Sequence, residues 1–351
     1  MTIKESLLNS SLDKSNMKLA IAQFPDQISK SFDIMKSWSV QKIYKDINNI
    51  LIIGMGGSAI GGDVARVIAQ NDCSLPIFVN RSYNIPDWVG SNTLVIASSY
   101  SGNTEETLSA FNQCKQKQAS IIVITTGGEI ENYANQYQLD RILVPAGYQP
   151  RAALGFSFTL ILYLLNKLGF IPDDIIDKIY NIIKPLISMS VKMQENDNEA
   201  LKIAEKIYTT CPIIYGSEDL TWVAALRFRG QLAENSKMLA FHHNFPEQNH
   251  NEIEGWTCNQ SIMNNMSIIW MHDTSDHSGV KSRMSISSKL LDLKAGLQIN
   301  IKQDGINKIH RLIKLIHFTD WISYYAALLN NVDPTPVNRI KELKLKISEE
   351  R

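Results

Sequence analysis

Short apolar runs alternate with longer amphipathic segments along the first half of this 351-residue chain. The runs are rich in β-branched residues, and a stretch long enough for a helix separates most of them. This alternation is typical of a doubly wound α/β fold, in which a parallel sheet is flanked by helices and ligands bind outside the carboxyl ends of the strands. The predicted strands are residues 50–54, 75–80, 93–98, 120–125 and 141–144.

Helical periodicity precedes and follows this alternation. Residues 17–37 are predicted to form an N-terminal helix packed on the first sheet, and residues 152–168 an apolar helix. A second alternation then has strands at 212–216, 266–271 and 297–302, with helices at about 220–236, 281–295 and 306–330. The sequence therefore predicts two α/β domains, residues 1–170 and 209–351, joined by a helical linker at 171–208.

A glycine-rich loop follows the first predicted strand. The apolar residues 51–53 lead into residues 54–58 (GMGGS), and an apolar-periodic segment resumes at Asp63. This order predicts a strand, a tight loop and a helix. The backbone N–H groups of such a loop can surround an anion at the helix N-terminus. The loop is therefore a candidate anion site.

A second loop of this kind follows the third predicted strand. Ser99, Ser101 and Thr104 place three hydroxyls in one short turn that also contains a glycine. Hydroxyl residues often do no more than cap the next helix, and Asn103 and Glu106 have the spacing of a capping box. Two such loops on neighbouring strands, however, converge on one small anion. We predict that this anion is a phosphate.

The same glycines match a dinucleotide-binding fingerprint, with Gly54, Gly56 and Ala59 at the G-x-G-x-x-[G/A] positions. That class of protein uses an acidic residue about 20 positions further on. The second predicted strand ends instead in residues 79–82 (VNRS), where Arg81 could bind the 2′-phosphate of NADP. An NAD(P)-dependent oxidoreductase therefore remains an alternative at this point.

Composition argues against several classes of protein. Lys plus Arg and Asp plus Glu each number 35, so the chain lacks the basic excess of a nucleic-acid-binding protein. No apolar run approaches the roughly 18 residues of a membrane span, and the N-terminus lacks the apolar core of a signal peptide. The cysteines lack metal or redox spacing, which favours a reducing, cytoplasmic location. They are Cys73, Cys114, Cys211 and Cys258.

Residues suited to acid–base chemistry are concentrated in the second half. Glu234 ends a predicted helix, and residues 241–255 are rich in His, Asn and Glu, whereas residues 215–219 (YGSED) are too acidic to hold a phosphate well. A zinc site is one interpretation, although the adjacent His242 and His243 would point to opposite faces of a strand. A solvated loop and general acid–base catalysis are the others, and spacing alone does not choose among them.

Arg151 follows a proline and begins the apolar helix predicted after the fifth strand. A surface arginine is the ordinary interpretation of such a residue. An arginine at a helix N-terminus opposes the helix dipole, however, and its planar fork suits a phosphate or a sugar oxygen. We therefore treat Arg151 as a candidate ligand.

Together these motifs resemble the bifunctional phosphoglucose/phosphomannose isomerases of the phosphoglucose isomerase superfamily. The resemblance covers nearly the whole chain and rests on residues 54–58, 99–104, 150–151, 234–237 (ENSK), 249–255 (NHNEIEG), 332–334 (VDP) and 339–344 (RIKELK). It implies two sugar isomerase (SIS) domains, each a flavodoxin-like parallel sheet flanked by helices. It also implies that glucose 6-phosphate and mannose 6-phosphate are interconverted with fructose 6-phosphate through an enediol(ate), with no cofactor and no metal.

The resemblance further implies a role for individual residues. Glu234 would be the base that moves a proton between C2 and C1, and Arg151 would stabilise the negative charge of the enediolate. His250 and Lys344 would assist opening and closing of the sugar ring, with Lys341, three residues earlier, as the alternative lysine. Because the histidine of this superfamily usually reaches into the neighbouring subunit's site, a homodimer is implied. The residues that would hold the phosphate are Gly57, Ser58, Ser99, Ser101 and Thr104.

Two questions remain open from the sequence. Some relatives use a threonine of the C-terminal segment during mannose turnover, and Val337 occupies that position here, with Thr335 two residues away. A non-catalytic sugar-phosphate-binding SIS regulator is also an alternative. Against it, no DNA-binding head or basic arm is evident, and Glu234 and His250 would have no purpose in such a protein.

Overall fold

Parallel strands form two separate sheets in the computed structural model, which describes residues 11–350. In chain order the strands are β1 (Asn49–Ile53), β2 (Ile77–Asn80), β3 (Thr93–Ser99), β4 (Ser120–Thr125), β5 (Asp140–Leu143), β6 (Cys211–Ser217), β7 (Phe241–Phe245), β8 (Met266–His272) and β9 (Leu297–Lys302). Every adjacent pair in both sheets is parallel. The predicted α/β class with two helix-flanked parallel sheets is confirmed.

Helices occupy most of the chain between these strands. In chain order they are α1 (Met17–Ala22), α2 (Phe24–Ser37), α3 (Gly56–Ala69), α4 (Glu105–Gln116), α5 (Glu129–Gln136), α6 (Leu154–Lys167), α7 (Asp173–Asn181), α8 (Ile183–Met193), α9 (Glu199–Ile207), α10 (Trp222–Glu234), α11 (Glu252–Gly255), α12 (Gln260–Met263), α13 (Ser278–Leu290), α14 (Lys308–Leu329) and α15 (Asn338–Glu349). Over residues 11–350 there are also two short 3₁₀ turns, Pro150–Ala152 and Glu247–His250.

The chain divides into two compact units, each built around one sheet. One unit comprises residues 22–188, and among the described residues the other comprises 11–21 together with 189–350. The first sheet has the strand order β2-β1-β3-β4-β5, which is the flavodoxin-like order. The second has the order β7-β6-β8-β9. The direction of winding therefore reverses between β1 and β3 in one sheet and between β6 and β8 in the other.

Burial explains why the central strands were recognisable from sequence. In β1 the four residues 50–53 are fully buried, and every residue of β3 is buried. A parallel strand covered by helices on both faces presents apolar residues in a continuous run rather than in alternation. The edge strand β2, by contrast, is mostly half-buried or exposed. Each predicted strand of the first sheet is present within two residues of its expected bounds.

The predicted N-terminal helix is two helices rather than one. The helix predicted over residues 17–37 is interrupted at Gln23, which separates α1 from α2. Pro25 lies in the first turn of α2, where the missing N–H of a proline is tolerated and a new helix can begin. Helix α2 then packs on α6, with Phe24 against Phe158 at 6.2 Å between ring centroids.

Strand β7 was not predicted, because its sequence Phe-His-His-Asn-Phe lacks an apolar pattern. It lies at the edge of the second sheet and pairs with β6, with Ile213 opposite Phe241 and Ser217 opposite Phe245. An edge strand needs only one paired side and can carry polar residues. The first five residues of segment 241–255, for which a solvated loop was one interpretation, therefore form a strand.

A buried ion pair fixes the helix that ends at Glu234. Arg227 of α10 donates two hydrogen bonds to Asp320 of α14, at 3.0 and 2.7 Å, and Gln231 donates a third at 3.0 Å. Arg227 and Asp320 are both almost fully buried. Removing one partner of such a pair costs about 3–5 kcal/mol because the other charge is left uncompensated. The last turn of α10 is therefore held on a rigid support.

The four cysteines are free thiols, and Cys114 is buried in the first core. Burial raises the pKa of the Cys114 thiol to about 12, so it stays protonated near neutral pH. Over residues 11–350, no helix combines the length and the apolar character that crossing a bilayer requires.

Candidate functional site

The two loops predicted to bind a phosphate lie at the carboxyl ends of the adjacent strands β1 and β3. Helix α3 begins at Gly56, within residues 54–58 of the first loop, and α4 begins at Glu105, directly after the second. The N-terminal turn of each helix therefore lies at the same edge of the sheet, at the point where the strand order reverses. This crevice is where ligands of doubly wound folds bind, and helix N-termini favour anions there.

Close backbone contacts and a tight turn explain why the first loop contains glycines. A Cβ at Gly54 would lie 2.7 Å from the carbonyl oxygen of Ser98, so β1 and β3 can approach only if residue 54 has no side chain. Gly56 has a φ of +49°, in the left-handed region that other residues rarely adopt. The fingerprint glycines therefore serve the packing and the turn of this loop.

The predicted hydroxyls converge from the two loops. Ser58 Oγ accepts a hydrogen bond from the backbone N–H of Tyr100 at 3.3 Å, which joins the first loop to the second. Within the second loop, the Ser99 hydroxyl donates to Thr104 Oγ1 at 3.3 Å. Ser58 and Ser99 are buried, whereas Ser101 is exposed at the mouth of the loop.

The capping-box interpretation of this loop is wrong. The N-cap residue of α4 is Thr104, and its side chain makes no capping hydrogen bond. Asn103 instead accepts a hydrogen bond from the backbone N–H of Glu129 at 2.9 Å, at the start of the next helix. The Thr104 hydroxyl is therefore not used to cap its helix, which favours its predicted role as a ligand.

Arg151 is brought to the same loop by the 3₁₀ turn Pro150–Ala152. A Cβ on Gly57 would lie 2.5 Å from the Pro150 carbonyl oxygen and 3.3 Å from Arg151 Cα, so the turn packs directly against the backbone of residue 57. Arg151 is buried, with 5% of its surface exposed. Arg151 is distant from Gly57 and Ser58 in the sequence but is therefore their neighbour at one end of the sheet.

Gln27 is a site-supporting residue that the sequence reasoning missed. Its side-chain amide is fully buried, donates to the carbonyl oxygen of Ala152 at 2.7 Å and accepts from the N–H of Gly155 at 3.0 Å. It therefore joins helix α2 to the last residue of the turn that carries Arg151 and to the first turn of α6. The available signal was a glutamine on an otherwise apolar helix face, between Phe24 and Ile28.

The guanidinium of Arg81, which could bind the 2′-phosphate of NADP in a dinucleotide site, is already paired within the chain. It forms an ion pair with Asp63, a buried carboxylate of α3. Burial raises the pKa of Asp63, and the pair with Arg81 opposes that rise. An arginine bound to its own chain's carboxylate is poorly placed to bind a 2′-phosphate, which argues against the oxidoreductase alternative.

In the second unit, Glu234 ends helix α10 and lines a cleft together with Val337 and Arg339. Lys237, in the left-handed conformation at φ +57°, follows the helix end. Its ammonium donates to the carbonyl oxygens of Glu234 at 2.6 Å and of Pro334 at 3.4 Å. The lysine therefore joins the two walls of the cleft on which Glu234 and Val337 lie.

His250 and Lys344 lie on exposed elements of the same unit. His250 ends the 3₁₀ turn Glu247–His250, and its side chain is exposed. Lys344 lies on α15, which buries none of its residues. Among the residues described, neither side chain contributes to the wall of the Glu234 cleft, and Ile340 is the last residue of α15 that does.

A hydrogen-bonded network supports the turn that carries His250. Glu252, two residues further on, accepts a hydrogen bond from the hydroxyl of Tyr215 on β6 and lies 2.8 Å from His243 Nδ1 on β7. Trp256 Nε1 donates to the same Tyr215 hydroxyl at 3.0 Å. The carboxylate of Glu252 therefore supports this turn.

The zinc interpretation finds no support in the part of the chain that is described. His243 faces Glu252, whereas burial and the nearby Arg229 lower the pKa of His242 to about 4. Over residues 11–350, no three His, Cys, Asp or Glu side chains are placed so that they could share a metal ion.

The corresponding end of the second sheet is filled by the chain's own charges. At the carboxyl end of β8, Arg311 of α14 donates to Asp273 at 2.7 and 2.9 Å. Burial alone would raise the pKa of Asp273, but hydrogen bonds from Arg311 and Ser275 hold it below its usual value. Asp276 adds a second buried carboxylate there. This end of the sheet is therefore unsuited to a phosphate, as the sequence predicted.

Comparison with known proteins identifies the class. The family model of the SIS domain matches residues 43–165, and the model described as the bacterial phospho-glucose isomerase C-terminal SIS domain matches residues 196–347. In fold, the chain is similar to the C-terminal domain of glucosamine-fructose-6-phosphate aminotransferase from Francisella tularensis, with a TM-score of 0.70, 15% identity, and coverage of 90% of this chain and 97% of that one. The protein is thus a two-domain SIS protein.

Curated relatives narrow the class further. The bifunctional phosphoglucose/phosphomannose isomerase of Caldicellulosiruptor bescii is 42% identical over 334 residues, which cover 94% of this chain and 98% of that protein. The protein of the same name from Aquifex aeolicus is 36% identical over 308 residues, covering 87% and 92% of the two chains. This chain belongs to the bifunctional phosphoglucose/phosphomannose isomerase family.

The contact between Gly57 and Pro150 provides a test of the phosphate site. Gly57→Ala places a methyl group against a backbone carbonyl, so the Arg151 turn and the first loop must separate. We expect binding of inorganic phosphate, measured by calorimetry, to weaken by about tenfold or more, the equivalent of one lost charge-assisted hydrogen bond. Gly90→Ala is the matched control, because a Cβ at Gly90 meets nothing within 4 Å. Equal phosphate affinity in both variants would place the anion site elsewhere.

Proposed function

We propose that this chain interconverts glucose 6-phosphate and mannose 6-phosphate with fructose 6-phosphate. The observation that carries the proposal is the convergence of two helix N-termini, four hydroxyl side chains and a buried arginine at one end of the first sheet. The hydroxyls belong to Ser58, Ser99, Ser101 and Thr104. Membership of the isomerase family along nearly the entire chain supports the choice of substrate class.

In this proposal the first unit binds the phosphate of the sugar. Gly57, Ser58, Ser99, Ser101 and Thr104 hold the phosphate oxygens through backbone N–H groups and hydroxyls. The phosphate is remote from C1 and C2, so its binding energy serves to hold the reacting carbons in place. Arg151, whose side chain is buried beside the first loop, stabilises the oxyanion that develops as the enediolate forms.

The proton transfers are assigned to the second unit. Glu234 removes the proton from C2 of the open-chain aldose and returns it to C1, and the enediolate lies between these two steps. A well-placed general base contributes roughly 10²–10⁴-fold to the rate. His250 and Lys344 open and close the sugar ring by moving a proton to and from the ring oxygen. The reaction as written needs no redox cofactor and no metal.

The mannose activity is assigned to the same cleft. Both aldoses give the same enediolate once C2 has lost its proton, so one base can serve both if the proton returns to either face of C2. Val337 lines the cleft beside Glu234, at the position where some relatives have threonine. Since valine cannot hydrogen-bond to the substrate, we expect mannose 6-phosphate to turn over more slowly than glucose 6-phosphate.

We further propose a cytoplasmic homodimer in which His250 completes the site of the partner subunit. The exposure of His250 on its supported turn is consistent with a residue that acts outside its own chain. The free state of all four cysteines is consistent with a reducing compartment.

A coupled assay tests the function directly. Purified protein is given glucose 6-phosphate or mannose 6-phosphate, and fructose 6-phosphate is measured. We expect product from both sugars, and Glu234→Gln should reduce kcat by roughly 10²–10⁴-fold with little change in KM, because the amide cannot accept the proton. Glu205→Gln, an exposed position on α9, is the control and should be fully active.

The outcomes of this assay separate the alternatives. Binding of both sugars without turnover would favour a non-catalytic sugar-phosphate regulator. Normal kcat in Glu234→Gln would show that Glu234 is not the base, although the protein would still be an isomerase.

Subunit sharing has its own test. Inactive Glu234→Gln and His250→Ala chains are mixed and allowed to re-associate. Half of the sites in a mixed dimer would then combine an intact Glu234 with an intact His250, so activity should return. Proven heterodimers without activity would show that both residues act within one chain's own site.

A further inference from the structure

Tyr100 lies in the middle of the second phosphate loop, but its side chain leaves that loop. Its hydroxyl donates a hydrogen bond to the carbonyl oxygen of Pro145 at 2.9 Å and accepts one from the backbone N–H of Tyr148 at 3.0 Å. Both partners belong to the segment that follows β5. One phenol therefore bridges the two ends of this segment.

The backbone of Tyr100 is hydrogen-bonded to two further segments of the chain. Its N–H donates to Ser58 Oγ of the first loop at 3.3 Å. Its carbonyl oxygen accepts from the Thr126 hydroxyl at 2.6 Å, just after β4. Tyr100 therefore contacts the segments that follow β1, β4 and β5 while belonging to the loop that follows β3. Its position cannot change without a change in these contacts.

The segment held by the phenol leads directly into the turn that carries Arg151. The Tyr148 ring packs on Phe156 of α6 at 5.8 Å between centroids. The Ala152 N–H then donates to the carbonyl oxygen of Gln149 at 2.8 Å, which begins the turn. Two residues separate Tyr148 from Arg151. A movement of residues 145–148 therefore displaces Arg151 as well.

Tyr100 can maintain this bridge across the working pH range. Burial raises the pKa of its phenol above the usual value, and so the hydroxyl remains protonated and able to donate to Pro145. The partners of the hydroxyl are backbone groups, which do not titrate. The bridge is therefore constant with pH and depends on the position of the loop.

We propose that Tyr100 is a positioning residue that couples occupancy of the phosphate loops to the placement of Arg151. A phosphate that orders the loop Ser99–Thr104 fixes the Tyr100 ring, and the phenol in turn fixes the segment before Arg151. The catalytic part of this inference rests on the proposed isomerase function. The coupling between the loop and the turn does not depend on that function.

Tyr100→Phe tests the coupling, because it keeps the ring and removes both hydrogen bonds of the hydroxyl. In the isomerase assay we expect kcat to fall by about tenfold or more, as for the loss of one to two hydrogen bonds, while KM changes less than about threefold. The matched control is Tyr133→Phe, whose ring stacks on Phe111 in the core of the same unit and should leave activity unchanged. In an Arg151→Lys background, Tyr100→Phe should have little further effect on kcat.

Hydrogen exchange provides a readout that needs no turnover. In the wild-type protein, saturating inorganic phosphate should slow exchange in residues 99–104 and also at the amides of Tyr148, Ala152 and Ala153. In Tyr100→Phe, the phosphate effect should remain in residues 99–104 and be lost at those three amides. Tyr133→Phe should behave as the wild type does.

The results separate this inference from the proposed function. The wild-type protein could isomerise neither sugar and still show phosphate-dependent protection of the Tyr148, Ala152 and Ala153 amides from exchange. That result would contradict the proposed function and support the coupling. Equal protection of Tyr148, Ala152 and Ala153 in wild type and Tyr100→Phe would overturn the coupling even if the enzyme is active. A phosphate that leaves residues 99–104 unchanged would overturn it as well.

Discussion

The site depends on one close contact, between the backbone of Gly57 and the carbonyl group of Pro150. A side chain at residue 57 would have no space, so the glycine allows a turn from the end of the first unit's sheet to pack against the loop after β1. This contact places the buried Arg151 beside the start of helix α3. Gln27 holds the same turn from the opposite side. The candidate anion site is therefore assembled with the help of three separate parts of the chain.

The two units use the same sheet topology for different purposes. In the first, the place where the strand order reverses is lined by hydroxyls and helix N-termini, and it is suited to an anion. In the second, the carboxyl end of β8 carries the ion pair of Arg311 and Asp273, and the candidate acid–base residues lie elsewhere on the unit. In the proposed function the first unit binds the phosphate, and the second unit supplies the base.

The sequence predicted those features that depend on local pattern. The central strands were recognised because buried parallel strands are continuously apolar, and the two loops because glycines and hydroxyls at strand ends have a direct physical use. Strand β7 was missed because an edge strand tolerates polar residues such as His242 and His243.

Features that depend on partners distant in sequence were not predictable. Asn103 was interpreted as part of a capping box, but it accepts from the N–H of Glu129 on the following helix. Gln27 stands out as a glutamine on an otherwise apolar helix face, but its partner is evident only once Ala152 lies beside it. The role of Glu252 likewise depends on Tyr215, which is 37 positions away in the sequence. Periodicity and motif spacing report on neighbours along the chain and carry no signal for such contacts.

The fate of the substrate's hydrogen atoms distinguishes proton transfer through an enediolate from hydride transfer. Fructose 6-phosphate is incubated with the protein in heavy water, and the glucose 6-phosphate formed is examined by NMR. A carboxylate base that holds the proton of an enediolate can exchange it with solvent, so the account predicts deuterium at C2 of the product and, with time, at C1 of the remaining ketose. Full conversion with the original hydrogen retained in every molecule would indicate hydride transfer and contradict the enediolate account. Absence of conversion would contradict the isomerase function itself.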